Sequence, residues 1–332
     1  MAAGNVYLIA LIVLSFISFV CMVFFNALSA TSFEGLYLSS AANVSSRYYL
    51  EITPAGWTFS IWSVIYIWNG LWLIYALTTL CRRNQLGYVY VEPGVHTPSF
   101  FLLWIFNNLC NIGWLFLWDR EFLIPALVFI ALIPITCFAM MGVSYRNCFK
   151  HGAWLSVNSP ADLWCIRIMV HNGLATYATW TFIASFINFG LVLKYEGKVD
   201  DFIASIIVLC SVLFGFLTWF ILETFIFDKY VRYTFTIYPV GIVALFGVLT
   251  NKDISKGLST IGILTAFLLS LTIAFCLIHL ILIFIYHKRR PVFAKDSLMS
   301  LDSSLTLSDH SAPGEKGQMT MMTNGNDKHT HL

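Results

Sequence analysis

The sequence predicts an all-α polytopic membrane protein with about eight transmembrane helices, and three observations carry this. Hydrophobic residues make up 58% of the chain and charged residues only 11%, far outside the range of soluble domains, so the bilayer is the solvent. The apolar residues gather into eight separate segments, each long enough to cross a hydrocarbon core of about 30 Å. The basic residues sit in short clusters between those segments, and the net charge of +2 is too small to suggest nucleic acid. The eight cysteines lie in or beside the apolar runs without a CxxC pair. They read as reduced packing residues, neither a disulfide framework nor a metal site. No dinucleotide fingerprint, P-loop, HExxH or GxSxG pattern is present, which excludes the common soluble-enzyme chemistries.

The segments lie at about 5–29, 55–80, 99–118, 122–145, 162–191, 202–227, 232–250 and 258–287. The first ends on Ala27-Leu28-Ser29, like a signal-peptide cleavage site. Its leading MAAGN has no Lys or Arg, and the run is too long for a signal core, so it counts as a membrane helix. The second opens on Pro54 and Gly56 and carries Trp57, Trp62, Trp68 and Trp72, with Asn69-Gly70 near its middle. Flat rings and one amide at this depth suit a helix lining an apolar pocket; they also suit an interfacial aromatic belt. The third holds Asn107, Asn108, Asn111 and Trp114, with Asn107 and Asn111 on one face. Pro125 and Pro134 interrupt the fourth.

Ser159-Pro160-Ala161-Asp162 is a helix-start signal for the fifth segment: an N-cap Ser, Pro at the first position, and an acid in the first turn. That helix carries Arg167 and His171, then Asn172, Tyr177, Trp180 and Asn188. Each polar group needs a partner, so these faces should point into the bundle, as interhelical fastenings, ligand contacts or both. Arg167 is expected to snorkel to the interface. His171 is either a hydrogen-bonded core residue or a proton or ligand contact. Glu223, near the end of the sixth segment beside Asp228, is expected at the interface. His279, in the eighth, has no acidic neighbour in sequence and receives no role. After Arg290 the chain turns rich in Ser, Thr, Gly and Asp, so residues 291–332 are expected to be disordered. Ser297, Ser300, Ser303, Ser304 and Ser308 are candidate phosphorylation sites there, with an unmodified tail the alternative.

With a cytoplasmic N-terminus, Arg82-Arg83 and the HKRR cluster at 287–290 both abut the inner ends of helices, as the positive-inside rule asks. The sequon Asn43-Val44-Ser45 then falls outside, as glycosylation at Asn43 requires. Both termini are expected to be cytoplasmic, in the plasma membrane or an endomembrane.

The first five segments resemble the TspO/MBR family, the tryptophan-rich sensory or translocator proteins (peripheral benzodiazepine receptors). The family's second helix has a Pro-rich entry, a Trp, then W-x-x-x-Y and a Gly four residues later. Here stand Pro54, Trp57, Trp62, Tyr66 and Gly70. Its third helix has Q-x-x-x-N-x-x-W, matched by Asn107, Asn111 and Trp114. Its fifth has P-Y-x-x-W-x-x-x-A-x-x-x-N, matched by Tyr177, Trp180, Ala184 and Asn188. The departures are Ile61 before the second Trp, where the family has Pro, a spacing there one residue shorter, a single Pro54 at the entry, Asn107 for Gln and Thr176 for Pro.

The resemblance implies a five-helix TspO-like module over residues 1–195, three additional helices over 196–290 without counterpart in five-helix members, and the tail 291–332. It implies a pocket closed by the first loop for a flat apolar ligand, porphyrin or sterol in kind, with no required cofactor. Its expected ligand-binding residues are Trp57, Trp62, Tyr66, Asn69, Asn107, Asn111, Trp114, His171, Tyr177, Trp180 and Asn188. The expected function is that of a membrane sensor or receptor. The expected partners are membrane lipid and the small ligand, with no nucleic acid; a homodimer is left open. Light-driven porphyrin breakdown by bacterial members leaves a weak enzymatic activity open, although no Ser-His-Asp or paired-carboxylate arrangement emerges from the residues. The family's sterol pattern fits Leu193–Lys198, but also Val143–Lys150 and Leu282–Lys288, so it discriminates little. A multi-pass transporter of a small apolar or amphipathic solute is the alternative. No internal repeat or charged midplane site supports it.

Overall fold

Lipid and protein are both apolar, so a membrane helix sorts its faces by size and hydrogen bonding more than by a polar stripe. The computed structural model describes residues 5–251 and 259–293. The tail from 294 onward with its candidate phosphoserines lies outside them, as do residues 1–4 and 252–258. Asn5 caps α1 (Val6–Ala30) by accepting the Leu8 amide. The loop that follows contains α2 (Ala41–Arg47), capped by Ser40. A 3-10 turn, Gly56–Ser60, enters α3 (Ile61–Thr78). Then come α4 (Pro98–Asp119) and α5 (Leu123–Asn158). The fourth span thus runs well past its expected end at 145. Arg146 and Lys150 are poor lipid residues but good helix formers, and the helix stops only where Ser159-Pro160 forbids continuation.

The fifth span is built from α6 (Pro160–Cys165), a π-turn over Ile166–His171 and α7 (Asn172–Tyr195). After it come α8 (Asp201–Ile221), which runs into a second π-turn at Leu222–Ile226, then α9 (Asp228–Val231), α10 (Ile237–Thr250) and α11 (Thr260–Arg289). Among the described residues, seven helices are long and apolar enough to cross a membrane. The remaining segment, expected over 232–250, is helical only from Ile237, and its 14 residues span about 21 Å. Irregular backbone at membrane depth survives only where protein satisfies it. Asn172 does so here. Its side-chain oxygen accepts the Phe235 and Thr236 amides at 2.9 and 3.3 Å. Its amide donates to the Tyr233 carbonyl at 2.8 Å and to the Arg167 carbonyl of the π-turn at 2.9 Å. The Trp68 indole supplies a second donor to that turn, 3.1 Å from the Ile168 carbonyl.

In the bundle α4 packs between α1 and α5, and α5 packs on α7. The later helices join the same unit, with α8 and α10 on α7, and α11 on α8 and α10. Gly247 of α10 shows how close that approach is. A Cβ there would overlap the Thr58 methyl, and the Gly247 carbonyl accepts the Ala55 amide at 2.9 Å. The entry to α3 therefore leans on α10, outside the five-helix module. Three polar groups make contacts that the sequence did not show. Arg167 is stacked, its guanidinium 4.3 Å from the Tyr233 ring centre and 5.2 Å from that of Trp164. Glu223 is buried within the protein. His279 has an acidic partner after all, and it is Glu223.

Candidate functional site

Four of the expected ligand-binding residues share one cavity. Trp62 of α3, Trp114 of α4, and Trp180 and Asn188 of α7 line a space of about 70 Å³. Ala41 and Ser45 of α2 cover it, and Pro54, Thr58 and Phe59 close it on the α3 side. Trp62 stacks on Tyr66 at 5.7 Å and meets Trp180 edge-on at 6.3 Å. Trp114 stacks on Trp118, another lining residue, at 5.8 Å. Neither the Trp114 indole nitrogen nor the Asn188 side-chain oxygen has a hydrogen-bond partner, although both are buried. No lining side chain titrates in the ordinary range. The cavity therefore offers stacking surface, an unpartnered indole donor and an unpartnered amide acceptor, with no general acid or base.

The cover is held at both rims. The Asp119 carboxylate, at the end of α4, accepts the Leu38 amide at 2.9 Å and the Ser39 amide at 2.8 Å. The Trp118 indole donates to the Ala41 carbonyl at 3.2 Å, and Arg47 pairs with Glu121 at 2.7 Å. On the other side Lys194 donates to the Tyr49 carbonyl at 2.6 Å. Within the cover, burial pushes the Tyr37 phenol up to about 12, against the opposing charge of Arg120, so it stays neutral where its ring stacks on Phe116 at 5.2 Å.

The other expected residues lie elsewhere. Trp57 is 46% exposed and turns to α10, where its indole donates to the Thr250 hydroxyl at 3.0 Å. Tyr66 and Tyr177 back the Trp62 ring without lining the space. Asn69 accepts the Trp72 indole at 2.7 Å and donates to its own helix. Asn107 fastens α4 to α5 through Thr136 at 2.7 Å and the Ile133 carbonyl at 2.9 Å. Asn111 joins three helices, accepting from Asn26 at 2.7 Å and donating to the Tyr177 hydroxyl at 3.1 Å. His171 is a core residue 3.0 Å from the Ser144 hydroxyl. Asn43 is exposed on α2. Among residues missed by the sequence reading, Trp118 had a signal, because it lies four after Trp114 and so on the same face. Thr58 and Phe59 had none, since a 3-10 turn resets the helical phase.

The sequence model of the TSPO-like protein family matches residues 12–288. The chain belongs to that family. The match runs well beyond residue 195, so the family's description takes in the helices after the five-helix module, which the motifs alone did not reach. No curated protein and no solved structure matches this TSPO-like chain.

Proposed function

We propose that this TSPO-like protein is a membrane sensor or receptor that binds a flat apolar molecule, porphyrin- or sterol-like, between Trp62, Trp114 and Trp180. One observation carries the proposal: an unpartnered indole donor and an unpartnered amide acceptor, Trp114 and Asn188, line the same aromatic cavity. Buried polar groups normally have partners, and a ligand with a polar edge supplies them. The space of about 70 Å³ is well below the roughly 300 Å³ at which drug-sized pockets begin. Binding must therefore part the rings and lift the α2 cover, which couples occupancy to the loop and gives a sensor its output.

The test is a titration of purified protein with protoporphyrin and with cholesterol, read by tryptophan quenching and ligand absorbance. Trp62→Leu and Trp180→Leu should each weaken binding about two- to tenfold, the worth of one aromatic stack. Trp57→Leu should leave affinity unchanged, because that ring faces α10. If every ligand that binds the parent binds Trp62→Leu and Trp180→Leu equally well, the cavity is packing only and the proposal fails.

A further inference from the structure

Away from the aromatic cavity, α8, α10 and α11 meet around a carboxylate. Glu223, on the second π-turn, is 2% exposed. One of its oxygens accepts the Tyr238 hydroxyl of α10 in a short hydrogen bond and lies 3.2 Å from His279 Nδ1 of α11. Its other oxygen has no partner, nor has His279 Nε2, although both are buried. The other titratable groups that sense this charge are Tyr145 of α5 and Cys276, one turn before His279. Tyr145 is already engaged, its hydroxyl 2.7 Å from that of Thr234. Among the described residues no Lys or Arg pairs with Glu223. Arg232 is held by Asp228 and by the Arg290 carbonyl.

A charge count decides what this cluster holds. A carboxylate beside a neutral imidazole carries one net negative charge in an apolar bundle, with a single neutral hydroxyl as its other donor. An uncompensated charge there is expensive. One proton removes the imbalance, either on the imidazole, giving an ion pair, or on the carboxyl, giving a neutral pair. The two unpartnered atoms are the positions at which that proton would sit. A π-turn, often found at functional positions, sets the carboxylate among the three helices.

We propose that Glu223, Tyr238 and His279 form a proton-binding site within the membrane, holding one exchangeable proton per chain on either the carboxylate or the imidazole. The proton comes from water and returns to it, with no other bond made or broken. While it is bound, the helices added to the five-helix module are locked to one another. The site is independent of the ligand proposed above.

Infrared spectra and histidine-selective nitrogen NMR of the full chain in nanodiscs at neutral pH test this. The wild type should show a protonated carboxyl band or a doubly protonated imidazole that is absent from Glu223→Gln, in which the side chain keeps its acceptor but not its charge. Stability supplies a second reading. His279→Leu should lower the folded-to-unfolded ratio roughly a hundredfold or more in the wild type, where it strands a buried charge. In the Glu223→Gln background the same change should cost far less. A bare carboxylate beside a neutral imidazole in the wild type would overturn the proposal, and so would equal costs of His279→Leu in the two backgrounds. If the variants do not fold, the wild-type spectra alone decide.

Discussion

Trp57 and Trp62 stand five residues apart in one tryptophan-rich stretch, and they do different work. Trp62 borders the cavity, whereas Trp57 is spent on α10. Histidines divide in a similar way, and one of them has a measurable consequence. The Ser144 hydroxyl lies 3.0 Å from His171 Nε2 and 3.2 Å from His96 Nε2. With one proton to give, it donates to one ring and accepts from the other, so the neutral rings carry their protons on different nitrogens. His96 precedes α4, and burial holds it down to about 4 from its ordinary 6.5. A base held below its unfolded value contributes stability that is complete above pH 6.5 and is lost as pH falls toward 4. The residue as a whole is half-buried, so the loss should be about 1–3 kcal/mol, at most about 1.4 per pH unit. Thermal unfolding midpoints across that range should fall in the wild type and flatten in His96→Gln. Equal slopes would mean that His96 titrates normally. At this scale, burial of Asn107 and Asn111 was legible in the sequence, because an amide at membrane depth must be paired. Their partners were not. Asn26 lies 85 positions from Asn111 and Thr136 lies 29 from Asn107, and no local pattern reaches that far.

Elements that look irregular are the ones most tied to their neighbours. Both π-turns fall where a polar side chain is needed inside the bundle, beside His171 and at Glu223. Their positions were illegible, since hydrophobic periodicity does not record one extra residue in a turn. The start of α10 was misplaced for a related reason. Residues 232–236 look like the beginning of a span, but Asn172 of another helix sets their backbone. One rim of the cavity's cover leans on an acid in much the same manner. Asp119 sits at the C-terminal end of α4, where the helix dipole disfavours a negative charge, and it accepts the Leu38 and Ser39 amides. Each such charge-assisted bond is worth about 1.5–3 kcal/mol. Asp119→Ala should therefore speed hydrogen exchange at Leu38 and Ser39 by tenfold or more, with Asp119→Asn in between. Unchanged exchange would assign the cover to the Arg47–Glu121 and Trp118–Ala41 contacts instead.

At the scale of the whole molecule, helix alternation brings both ends of the described chain to one face of the bundle. The Asn5 amide donates there to the Tyr90 hydroxyl at 3.0 Å, and the Arg232 guanidinium to the Arg290 carbonyl at 2.6 Å. The same face carries Arg82, held by Asp162 at 2.7 Å, and Arg83. The opposite face carries the cavity cover and the exposed Asn43. Basic residues next to helix ends orient short-looped membrane proteins toward the cytoplasm, and the richer face here is the one holding both ends. The expected topology therefore keeps both ends of the described chain in the cytoplasm and opens the aromatic cavity toward the other side. A C-terminal tag should resist protease in intact cells and become sensitive on permeabilisation. Glycosidase should sharpen the wild-type gel band but not that of Asn43→Gln. The two readouts are independent, because the tag reports the basic face and the sequon the opposite one. A tag labelled from outside would invert the molecule, put the basic clusters on the wrong side, and aim the cavity at the cytoplasm. A protected tag with no glycan at Asn43 would leave the orientation intact and show that the cover lies too near the bilayer for the modifying enzyme.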